Sequence, residues 1–107
     1  MCTRCGQVIG ISKQFGELLE GYGWVVDGRV PWAQWYSPDG SVRVEAYEQP
    51  PPGGGPDRWF VAASRRETGH GGQVIWPIAL TCYPASPEHA IEILIAARLM
   101  CKEEPGA

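Results

Sequence analysis

Residues 50–56 read Pro-Pro-Pro-Gly-Gly-Gly-Pro, a tract that neither a helix nor a strand can cross. Proline fixes φ and removes a backbone donor, and consecutive glycines carry nothing to pack. The tract is a loop with a stiff half and a flexible half, and it holds no P-x-x-P spacing for an SH3 partner. The same residue types punctuate the whole chain, with 14 Gly and 10 Pro in 107 residues. Val, Ile, Leu and Phe total only 22, a share that alone borders on disorder. Five Trp and four Tyr supply the missing apolar area, since each buried ring removes a large surface from water. The composition is that of a turn-rich, Trp-packed single domain. It excludes a TIM barrel, a two-domain nucleotide-binding enzyme, a coiled coil and a collagen-like repeat.

The net charge is −3, which disfavours generic nucleic-acid binding, because neutralising phosphates calls for a basic surface. The short apolar run Val8–Ile11 is too small for a signal-peptide core. The longer stretch Ala90–Cys101 contains Glu92 and Arg98, so it cannot span a bilayer. The expectation is a cytoplasmic protein with no membrane association and reduced cysteines.

Along the chain, residues 1–11 read as a tail, followed by a single α+β domain over 12–104. Ser12 caps a short helix whose apolar positions are Phe15, Leu18 and Leu19, ending at Gly21 or Gly23. From Val30 the pattern is that of a strand. Ser37-Pro38-Asp39-Gly40 then closes a hairpin with a Gly bulge, pairing Ser37 with Ser41. That register sets Trp35 opposite Arg43 and Tyr36 opposite Val42. It places Trp32, Tyr36, Val42, Val44 and Ala46 inside, and Trp35, Arg43, Glu45 and Tyr47 outside. A third strand runs Trp59–Arg65, Gly69-His70-Gly71-Gly72 turns, and a fourth strand runs from Val74 to Tyr83. Pro77 assigns that strand to an edge or a bulge. Ser86, Pro87 and Glu88 open a helix that runs to about Lys102. The expected architecture is a short N-terminal helix, a four-stranded antiparallel meander, and a C-terminal helix packed on one sheet face. Ile91, Ile95 and Leu99 form a stripe through the polar arc of that helix. It is either covered by the N-terminal segment or forms a subunit interface.

Gly23-Trp24, the hairpin Ser37-Pro38-Asp39-Gly40-Ser41-Val42-Arg43, Trp59 opening a strand and Pro87-Glu88 opening a terminal helix together resemble an actinobacterial, streptomycete-type family, domain of unknown function three-one-seven. The resemblance covers about residues 15–100 and implies a helix, a β-meander and a final helix. It implies no catalytic residues, and it suggests a phage- or plasmid-encoded accessory protein. The N-terminal cysteine pair and the triple-proline loop depart from the family pattern.

Cys2-x-x-Cys5 is half of a zinc site. The second pair is absent, since Cys82 and Cys101 are far apart, and His70 and His89 would join only by tertiary placement. The expectation is free thiols and no cofactor, with Cys2 and Cys5 the ligands of any metal. Gly69-His70-Gly71-Gly72 resembles an esterase oxyanion segment, but the G-x-S-x-G elbow is missing. No P-loop or G-x-G-x-x-G occurs. The expectation is therefore not an enzyme but an interaction module with a protein partner or a second copy. The alternative is single-stranded nucleic-acid binding by Trp35, Arg43, Tyr47 and Arg65, because bases stack on rings and Arg meets phosphate. Trp32, Trp59 and Trp76 are assigned to the core and Trp35 to the surface.

Overall fold

The computed structural model describes residues 3–30 and 33–101, the side chains of residues 3–9 excepted. Helix α1 (Thr3–Gly21) is followed by strands β1 (Val25–Val26), β2 (Ala33–Tyr36), β3 (Val42–Gln49) and β4 (Arg58–Arg65). Two short strands, β5 (Glu67–Thr68) and β6 (Val74–Ile75), flank a 3-10 turn at His70–Gly72. Strand β7 (Ile78–Cys82) and helix α2 (Pro87–Ala96) complete the described fold. The main sheet is antiparallel in the order β1-β2-β3-β4-β7, and β5 pairs with β6 as a separate ribbon.

The α+β class and the antiparallel sheet between two helices agree with the sequence, but the sheet has five strands, not four. Strand β1 is only two residues long, too short to show an alternating pattern. It forms because Val25 and Val26 pair with Tyr36 and Trp35, and the Asp27 N–H continues the ladder to the Gln34 carbonyl at 2.8 Å. The expected fourth strand is broken at Trp76-Pro77. Proline cannot donate there, so β6 pairs away with β5 while β7 takes the sheet edge, with a bulge at Ala63/Ser64.

The expected tail is also corrected, since residues 3–11 belong to α1. Ile11 packs against the core together with Phe15, Leu18, Leu19 and Tyr22, the spacing of a single helical face. Tertiary packing outweighs the poor helix propensity of the glycines in this segment. Phe15 is fully buried and meets Trp35 and Trp59 edge-on, with ring centroids 5.4 and 5.3 Å away. The Trp59 Nε1–H donates to Ser12 Oγ at 3.0 Å, so that ring keeps its polar end satisfied. Gly16 lies directly over Trp35, where a Cβ would fall 2.8 Å from the indole.

Both helices end in the same capping geometry. At α1, Trp24 N–H reaches the Leu19 carbonyl and Gly23 N–H the Glu20 carbonyl, with Gly23 at φ 87. At α2, Leu99 N–H reaches Leu94 and Arg98 N–H reaches Ile95, with Arg98 at φ 61. These bonds satisfy orphan carbonyls and bring Trp24 and Leu99 into the core that also holds Leu19 and Leu94. Helix α2 therefore stops at Ala96, well short of Lys102, because the chain gains more by folding Leu99 and Met100 into the core. Its start agrees with the sequence: Ser86 Oγ accepts from the His89 N–H at 3.1 Å, and Pro87 opens the helix.

Candidate functional site

The β2–β3 hairpin decides which side chains reach the surface. Ser37 N–H donates to the Val42 carbonyl at 2.9 Å, not to Ser41. Asp39 draws Ser41 into the turn, its Oδ1 accepting from Ser41 N–H (3.0 Å), Ser41 Oγ (2.6 Å) and Ser37 Oγ (2.8 Å). These three donors hold the Asp39 carboxyl at a pKa of about 2. The loop is thus one residue longer than a Gly-bulge turn, and the register moves by one: Tyr36↔Arg43, Trp35↔Val44, Gln34↔Glu45. A one-residue slip exchanges the two faces of a strand.

The consequence for the sequence-based site is direct. Trp35 is 4 % exposed and belongs to the core, as do Trp24 and Trp59. Trp76, expected inside, lies on the outer face, and Trp32 lies outside the described residues. Arg43 and Tyr47 do share the outer face. Arg65 does not, because it pairs with Val42 at the end of the inner-face register. In the α2 stripe, Ile91 and Leu99 are buried and Ile95 is partly buried against the same core. The covered alternative therefore describes them, and the subunit-interface reading of Ile91, Ile95 and Leu99 is corrected.

Both helices pack on the inner face, which leaves the outer one uncovered by either. Cross-strand register arranges the outer face in rows: Tyr36, Arg43, Ser64, Ile78; then Gln34, Glu45, Ala62, Thr81; then Tyr47 and Phe60. Each end carries an aromatic stack with an arginine. Trp76 folds over the first row, 5.5 Å from the Tyr36 ring and 5.0 Å from the Arg43 guanidinium carbon. At the other end Phe60 lies between Tyr47 and Tyr83 at 5.1 and 5.2 Å, and Arg58 sits 5.5 Å over Tyr83. Such cation–π contacts are each worth roughly 0.5–1 kcal/mol at exposed sites. Arg43 Nε is 3.4 Å from Glu45 Oε1 but makes no hydrogen bond among the described residues, so ring and charge alone hold it. Tyr83 also fastens the proline tract, its hydroxyl donating to the Pro50 carbonyl at 2.9 Å and accepting from Gln49 Nε2. Burial and the neighbouring Glu45 raise the Tyr47 pKa, so its hydroxyl stays protonated.

Exposed apolar side chains lie in β1 as well as in β6 and β7, with Val25 at 61 %, Val74 at 58 % and Ile78 at 68 %. Tyr36, Phe60, Trp76, Tyr83 and Arg58 were missed as site residues. The signal for Tyr36 lay in Asp39 and Ser41, a carboxylate and a hydroxyl spaced to close a wider turn.

The Cys2/Cys5 pair lies outside the residues whose side chains are described, while Cys82 and Cys101 are free. No group of three metal-ligating side chains occurs among the described residues. His89 is part of a helix cap, its Nδ1 accepting from Ala85 N–H at 3.0 Å. No described helix is long and apolar enough to cross a membrane. No family model, curated protein or solved structure matches the chain.

Proposed function

We propose that this domain is a non-enzymatic interaction module that binds a protein surface through the outer sheet face, with self-association as its simplest form. The observation that carries this reading is the pair of aromatic–arginine stacks at the two ends of a face that neither helix covers, one of them in the row of exposed Ile78. Aromatic and arginine side chains dominate binding hot spots because they bury large areas at little conformational cost. We also propose, on the Ser37–Arg43 hairpin motif and the terminal helix start, that the chain is an actinobacterial, phage- or plasmid-encoded accessory protein acting in the cytoplasm.

A second reading, single-stranded nucleic-acid binding, is favoured by the stacking of Arg43 on Trp76 and Arg58 on Tyr83. The net charge of −3 weighs against it. Light scattering at tens of micromolar tests the first reading. A dimer that dissociates in Trp76→Ala and Ile78→Lys supports it, and a monomer overturns self-association. Tryptophan fluorescence titrated with an oligonucleotide at low salt tests the second, which fails if no quenching occurs.

A further inference from the structure

A half-open cavity of about 670 Å³ lies on the helix side of the sheet, away from the outer face. It forms where the two helix caps meet the β2–β3 turn. Trp24 comes from the cap of α1, Arg98, Leu99 and Met100 from that of α2, and Asp39 and Arg65 complete the rim. Its size falls in the range of small-molecule sites, and its walls combine apolar surface with a few polar groups, as such sites do.

Three observations specify the ligand. The first is the comparison of the two caps. The same left-handed position is Gly23 in α1 and Arg98 in α2. This conformation penalises every residue with a Cβ, so glycine is the residue the fold itself favours there. A basic group serving only the helix dipole would sit in the last turn without that penalty, and the last turn of α2 has none. The Arg98 side chain is kept against backbone preference, and it lines the cavity. The second is that neither Arg98 nor Arg65 has an ion-pair or hydrogen-bonding side-chain partner among the described residues. The third is that the one carboxylate at the rim, Asp39, accepts three donors of its own turn on Oδ1 and pairs with neither arginine among the described residues. Two exposed arginines without a partner among the described residues therefore line the same cavity as its apolar wall.

We propose that this cavity binds a small organic anion, an aryl or acyl carboxylate. Its apolar part packs on Trp24, Leu99 and Met100, and its charged end meets Arg98 and Arg65. Charge-assisted bonds from a guanidinium to a carboxylate are the strong class of polar contact.

Titration calorimetry with 1-naphthoate, and with 1-naphthamide as its uncharged counterpart, tests the site on the full chain. Naphthoate is expected to bind at least roughly tenfold tighter than the amide, the ratio of one charge-assisted contact. Arg98→Gly should weaken naphthoate by a similar factor while its Tm stays at or above that of the parent chain, because glycine fits the cap. Arg65→Gln should weaken naphthoate without changing the amide. Equal affinity for acid and amide, absence of binding by both, or unchanged binding in Arg98→Gly would overturn the proposal. So would a fall in Tm for Arg98→Gly, which would make the side chain a structural one.

Discussion

Gly16 stands where any other residue would drive a carbon into the Trp35 indole, 2.8 Å away. An exposed helical glycine replaced by alanine gains about 1 kcal/mol from helix propensity. Here the neighbour is a buried ring packed on Phe15, and overpacking of this kind costs about 1–3 kcal/mol. The second effect wins, so Gly16→Ala should destabilise the domain by up to about 2 kcal/mol in urea denaturation. Trp35→Phe combined with Gly16→Ala should recover part of that loss, since the smaller ring yields the space. Additive losses in the double variant would show that the two positions do not meet. The sequence marks Gly16 only as a weak point in a helix. Its purpose depends on a contact between α1 and β2, which no local pattern encodes.

At the scale of elements, the hairpin turn was legible as a turn and misread by one residue. Pro38, Asp39 and Gly40 announce a corner, but the loop length depends on whether Ser41 joins the ladder or the turn. Two bonds to the Asp39 carboxylate decide that. The single slip carried Trp35 inward and Tyr36 outward, so the fold class and most strand positions were readable while the site residues were not. Helix α2 shows the same limit: its start is local chemistry at Ser86 and Pro87, while its end depends on where Leu99 can be buried. The turn also predicts a pH dependence. Asp39 is held at about 2, against 3.8 for a free carboxyl, by hydrogen bonds from Ser41 and Ser37. Its folded pKa is depressed, so its contribution is present above 3.8 and is lost as pH falls toward about 2. Asp27 follows the same sign, lowered by the Arg29 side chain and backbone and by Gln34. The urea midpoint should fall across this window, and Asp39→Asn should flatten the fall. A midpoint that is level between these pH values would remove the turn from the account.

For the whole molecule, the asymmetry of the sheet matters most. Its inner face is consumed by α1 and α2; on its outer face Gln34, Ala62, Ser64 and Phe60 are buried in the middle, and exposed apolar side chains are offered by Tyr47 and by β1, β6 and β7 around them. Trp35 and Ile78 sit on opposite sides of this division, and their variants should behave oppositely. Trp35→Ala removes a core ring and should cost about 3–5 kcal/mol, a large fraction of the roughly 5–15 kcal/mol that holds a domain of this size together. Ile78→Lys changes a residue already 68 % exposed, so its stability should stay within about 0.5 kcal/mol. Salt then separates the two functional readings. Two copies each carrying −3 repel one another, and salt screens that repulsion over about 10 Å at 0.1 M. Apolar and aromatic contacts are not weakened by the same screening. Self-association through the outer face should therefore hold or strengthen as salt rises, and Ile78→Lys should abolish it at every salt concentration. Binding to a polyanion has the opposite slope, because each phosphate contact releases counterions whose return opposes the complex. A light-scattering series with salt, run beside an oligonucleotide titration, reads the sign directly. Dimerisation that weakens steeply with salt would locate the attraction in charge rather than in the exposed apolar side chains of this face.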